Sequence, residues 1–211
     1  MVDELRLWMI NVDAFRQCFA APPELAARLT SIAESLGPAR RTARGLLAKL
    51  GPLTRRPAEA PVVRPGVPNL HDAEAMLTSR FVATDRLGAS WVLARAWLDA
   101  LADAHTAIPL PASEIDALEF DLVRAGVPTS VSIRHLWGRS VDLPLRATGD
   151  MSFGYMPGGV VPRLVDEWMA ALPDLDEGTA AFATTLLAFA QPSAAGPDET
   201  RPDLIAWWTA R

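Results

Sequence analysis

Three observations predict a helix-rich α+β fold, one domain over residues 1–211 with about seven or eight helices and a small, mostly antiparallel sheet. Half of the 211 residues are hydrophobic, which is enough apolar material to bury a substantial core in one large domain. Most of the chain carries its apolar side chains at helical spacing, whereas residues 129–155 lose that period in favour of short β-like runs between Gly138, Pro144 and Gly149. No period of roughly 20–50 residues recurs, so a solenoid or propeller is excluded.

Taken in order, Leu5 to Val12 (LRLWMINV) is a short apolar run between acidic and turn-forming residues and predicts a strand. Asp13 is the expected cap of a short helix through Phe19. Pro22-Pro23 then start a helix whose Leu25, Leu29, Ile32 and Leu36 share one face, and Gly37-Pro38 end it. A third helix follows with Ala43, Leu46, Leu47 and Leu50 on one side and Arg40, Arg41 and Arg44 on the other. From 51 to 68 the prolines Pro52, Pro57, Pro61, Pro65 and Pro68 remove amide donors, so this Pro/Arg-rich stretch reads as an internal linker or long loop.

Asn69 is the expected cap of a helix over 70–78, and Thr84 or Asp85 opens the longest helix. Its stripe of Leu87, Trp91, Ala94, Leu98 and Leu101, widened by Leu93 and Trp97, places residues 85–104 at the centre of the fold. Ser113 with Asp116 resembles a capping box, and Gly126 with Pro128 ends the helix it opens. VSIRHLW and MSFGY then predict two strands of the small sheet, with the N-terminal strand beside them. Pro162 starts a helix with Val161, Val165, Trp168 and Leu172 inward, and Phe182, Leu186 and Phe189 mark the next. A break at 191–202 precedes the final LIAWW, whose Trp207 and Trp208 point in different directions in either regular structure.

Charge is the sharpest functional signal. Residues 38–64 hold seven Arg/Lys and one acid, Glu59, for a local charge of 7 − 1 = +6 in a chain of formal charge −5. That patch, with Arg40, Arg41, Arg44, Arg55 and Arg56 as its candidate binding residues, attracts an anionic partner or is neutralised by the acidic remainder of the chain. A polyanion or nucleic acid is the less favoured partner, because the segment has no aromatic residue for base stacking. Lys49 is the only lysine, so arginine abundance reflects composition bias as readily as phosphate chemistry.

Catalytic and metal patterns are thin. His71 with Glu74, and His105 after Asp99 and Asp103, supply too few converging ligands for zinc, so no metal and no cofactor is expected. Cys18 among Phe15 and Phe19 reads as an inert buried thiol. Gly158-Gly159 before a helix start reads as a turn. Among seven tryptophans, Trp137 and Trp208 are the ones whose loop and tail positions point to a pocket or interface. The uncharged run from Gly178 to Pro197 is Ala-rich and broken by Pro192, short of the roughly 20 strongly apolar residues a bilayer needs. With one cysteine and no basic-then-apolar leader, the expected setting is cytoplasmic.

The expectation is therefore a module without catalytic activity that binds another protein in a regulatory or neutralising role. The alternative is an enzyme or small-ligand binder with a cleft near 134–155, assembled from Arg134, His135, Arg139, Asp142 and Tyr155. Polyanion binding through 38–64 is the second alternative.

Overall fold

The computed structural model describes residues 3–36, 66–149, 151–197 and 200–210. Four strands, β1 (Glu4–Ile10), β2 (Ala104–Pro109), β3 (Met151–Met156) and β4 (Asp203–Thr209), form one antiparallel sheet in the order β2-β1-β4-β3. Among the described residues seven α-helices surround it: α1 (Val12–Arg16), α2 (Pro23–Leu36), α3 (Leu70–Leu77), α4 (Leu87–Leu101), α5 (Ala112–Arg124), α6 (Val161–Ala171) and α7 (Glu177–Ala194). The fold is thus helix-rich α+β. The basic helix read over 40–50, the arginines Arg40, Arg41, Arg44, Arg55 and Arg56, and the linker up to residue 65 lie outside the described residues.

Strand alternation sorts the core into two halves. Leu5, Leu7 and Met9 of β1, with Leu204 and Ala206 of β4, face α5, α6 and α7. Trp8 and Ile10, with Ile205 and Trp207, face α1 to α4. Both central strands are therefore covered on both sides, which is why LIAWW shows no polar alternation. On the second side Trp207 meets Trp91 and Trp91 meets Phe153 edge-on, each at 5.0 Å between ring centroids, a favourable aromatic geometry.

Several elements differ from the sequence reading. The first strand ends at Ile10, and α1 is capped by Asn11, whose side-chain oxygen accepts from the amides of Asp13 and Ala14, so Asp13 lies inside the helix. Helix α4 stops at Leu101 and residues 104–109 form β2, so the centre of the fold is the β1–β4 pair and not residues 85–104. Helix α7 is longer than α4 and continues past Pro192. Ser113 does not cap α5; the chain enters from Pro111, and the Asp3 carboxylate accepts from the amide of Ala112 at 2.9 Å instead. The VSIRHLW run is two 3-10 turns, Thr129–Val131 and Ile133–Trp137, because Ile133 and Leu136 bury at the three-residue spacing of such a turn. The tail is β4. Other readings hold: Asn69 and Asp72 form a full capping box on α3, Pro162 sits in the first turn of α6, MSFGY is β3, and Gly126 takes φ +91° just past α5, a conformation suited to glycine.

Candidate functional site

The face carrying α5 and α7 is held by one buried carboxylate. Asp121, only 3% exposed, accepts from the amide of Asp176 at 2.9 Å and from Arg124 Nε at 3.1 Å, and Thr179 donates to it as well. Asp176 precedes α7 without a capping side-chain bond of its own, so a residue of α5 fixes the start of α7. Burial pushes the Asp121 pKa up, but the bonds from Asp176, Arg124 and Thr179 outweigh it and hold the carboxyl below its usual range.

Between α5, α7 and the edge of β2 lies a cleft of about 430 Å³. Its apolar lining is Ile108, Leu110, Leu118 and Phe182, and the small residues Ala117, Gly178 and Ala181 on the helix walls leave the space open. The Thr185 hydroxyl donates to the Ala181 carbonyl at 3.0 Å and Thr179 to Asp121, so both lining hydroxyls are already engaged. Glu114 is the one ionisable residue in the lining, and it is solvent-exposed. On the same helix Phe120, three residues on from Ala117, is 71% exposed, and Val123, on the far side of the helix from Glu114, is 46% exposed.

The residues singled out between 134 and 155 are split. Arg134 is exposed and pairs with Asp116 of α5, and His135 is exposed in the second 3-10 turn. Trp137 packs against the α5–α7 side of the core, whereas Tyr155 packs against the opposite side. Arg139 is exposed, and its carbonyl accepts from the Tyr155 amide at 3.0 Å. What gathers near Tyr155 is instead Arg16, whose guanidinium carbon lies 5.6 Å from the ring centroid, and Asp142, 3.8 Å from Arg16. Arg16 also donates to the Val141 carbonyl at 2.8 Å and to Asp13 at 2.7 Å. The bond to Asp13, against the opposing effect of burial and with help from Tyr155, raises its pKa above the ordinary arginine value. This cluster ties α1 to the loop before β3, and nothing in the linear sequence marked Arg16 for it.

Other candidates resolve into packing. Cys18 is fully buried and desolvation pushes its thiol up to about 12. His71 is exposed on α3 and His105 on β2. Among the described residues no group of three or more His, Cys, Asp or Glu converges on a metal position. The Gly158 amide donates to Asp203 at 2.8 Å, and the same carboxylate accepts from Val12 at 2.8 Å, so that turn is satisfied from within the chain. Trp208 is half-buried and donates to the Leu110 carbonyl at 2.9 Å, beside the cleft. Among the described residues no helix is long and apolar enough to cross a membrane.

The cleft residues escaped the sequence reading because Ala117, Gly178 and Ala181 carry no chemistry of their own. The available signal was Phe120 on the polar face of a helix whose inner face was already assigned to Ile115, Leu118 and Leu122. No family model, no curated protein and no solved structure matches the chain.

Proposed function

We propose that this protein is a binding module for another protein and that the partner docks at the cleft between α5, α7 and β2. The observation that supports this reading is an apolar cleft walled by the helix that also exposes Phe120, one turn on from the lining residue Ala117. Protein interfaces concentrate their binding energy in aromatic anchors and dry pockets of this kind. An enzyme cleft at 134–155 gains nothing from the placement of Trp137 and Tyr155 on opposite sides of the sheet. Polyanion binding through 38–64 concerns residues outside those described.

The test is selection from a displayed random-peptide library on the wild-type protein, with counter-selection on Thr185→Arg. Thr185 is exposed on α7 and lines the cleft, so arginine there fills the space without entering the core. Enrichment of peptides that lose binding to Thr185→Arg is the expected result. Absence of enrichment, or equal binding to the blocked variant, refutes the reading.

A further inference from the structure

We infer that the docking segment is an extended, cationic stretch of the partner that adds a strand to the free edge of β2 and drops alternate apolar side chains into the cleft. This rests on the docking role of the cleft and specifies its mode and chemistry. The two edges of the sheet are unequal. At β3 the edge is closed, because the Tyr155 amide bonds to Arg139 and a Cβ on Gly154 would lie 2.4 Å from the Trp137 carbonyl oxygen and 2.5 Å from that of Arg139.

Among the described residues the β2 edge is open. Glu4 pairs with Pro109, and the Leu110 amide bonds to the Asp3 carbonyl at 3.0 Å. With a two-residue repeat, the amides of Ile108, Thr106 and Ala104 then point toward β1, and those of His105 and Ala107 point away from it. Both residues are exposed, and neither amide has a bonding partner among the described residues. Exposed, unpaired strand groups are a template for another strand. Ile108 and Pro109 belong to this strand and also line the cleft, so a segment placed one strand spacing away, roughly 4.8 Å, sets every second side chain over the opening.

Charge selects the segment's sign. Glu114 in the lining, Glu177 at the first turn of α7 beside the lining Gly178, and Asp103 just before β2 are all exposed acids with no ion pair among the described residues. Among the described residues no basic side chain lines the cleft. Arginine or lysine on the outward positions of the added strand shares a face with Asp103 and lies within the negative field of Glu114 and Glu177 at the cleft, and apolar residues on the alternate positions meet Phe182 and Leu118.

The probe is a labelled synthetic peptide of alternating arginine and valine, matched to the length of β2 and titrated by fluorescence anisotropy. Three comparators accompany it: the glutamate–valine analogue, the same peptide N-methylated on the amides that would face β2, and the variant Ala107→Pro. Proline at an outward-facing edge position removes one donor and spares the ladder to β1. The arginine–valine peptide binds and weakens with rising salt, whereas the glutamate analogue does not bind. N-methylation weakens binding about twentyfold, two hydrogen bonds at roughly fivefold each, and Ala107→Pro about fivefold. Amide exchange at His105 and Ala107 slows in the complex.

If library peptides still require an open cleft but neither N-methylation nor Ala107→Pro changes affinity and neither amide gains protection, strand addition is overturned while the cleft reading stands. If no selected peptide depends on the cleft, the underlying reading itself fails. A free protein that is already dimeric, with His105 and Ala107 protected, assigns the edge to a second copy and overturns the partner named here.

Discussion

Replacing Asp121 by alanine tests the physical basis of the candidate site more directly than any other single change. The substitution leaves the Asp176 amide without its acceptor and removes the carboxylate that Arg124 and Thr179 also address. A hydrogen bond with one charged partner contributes about 1.5–3 kcal/mol, and the bond from Asp176 belongs to that class. Arg124 adds little, because its side chain is 47% exposed and water screens it. The expected cost of Asp121→Ala is therefore about 3 kcal/mol, and Asp121→Asn, which retains an acceptor oxygen, costs about half of that. With a urea slope of about 3 kcal/mol per molar for a chain of this size, the unfolding midpoint falls by about 1 M, and the melting temperature by about 6–12 °C.

The pH dependence supplies a second readout. The folded pKa of Asp121 lies below the unfolded value of about 3.9, so the folded state binds the carboxylate form more favourably than the unfolded chain does. That stability is fully present above roughly pH 5 and is lost as pH falls through the folded pKa. Consequently the difference between wild type and Asp121→Asn narrows below about pH 4. A midpoint change under about 0.3 M urea for Asp121→Ala, with a pH profile parallel to wild type, refutes the role assigned to this carboxylate.

Two further outcomes follow from close packing. Gly154→Ala sets a methyl group against the Trp137 and Arg139 carbonyls, so it destabilises by about 1–3 kcal/mol in chemical denaturation; a change within about 0.5 kcal/mol contradicts the contact. Cys18, with its thiol raised to about 12 by burial, holds roughly one thiolate in a hundred thousand near neutral pH. A disulfide reagent therefore labels it only in step with unfolding, and rapid stoichiometric labelling of the native protein counts against its burial.

Helical elements were the more legible part of the sequence, because their signals are local. Asn69 with Asp72, Pro162, and Gly126 each act within a turn of the position they mark. The strands were harder to read, for reasons tied to where they sit. β4 lies between two helical layers, so Leu204 to Trp208 is apolar throughout and shows no alternation. β2 is an edge strand with one buried residue, Ile108, and Ala104, His105 and Ala107 carry little β signal. VSIRHLW misled in the opposite direction: Val131, Ile133 and Trp137 imitate period-two spacing while the backbone coils. The candidate site was illegible because two helices distant in sequence and a strand edge create it, and its walls are alanine and glycine. The linear grouping of Arg134, His135, Trp137 and Tyr155 is divided by the fold, because neighbours along a chain fall on opposite sides of a sheet, Trp137 on one and Tyr155 on the other.

Pairing β1 with β4, Glu4 against Thr209 at one end and Ile10 against Asp203 at the other, has a consequence for translation. While ribosomes elongate this chain, β2 becomes available to β1 after about a hundred codons, but β4 only after almost two hundred. Throughout that interval Leu5, Leu7 and Met9 on one side, and Trp8 and Ile10 on the other, have no central strand beside them. Until then neither side of the sheet is complete, because Leu204 and Ala206 join one helical layer and Ile205 and Trp207 the other, and the apolar faces of β1 are a target for cotranslational holdases.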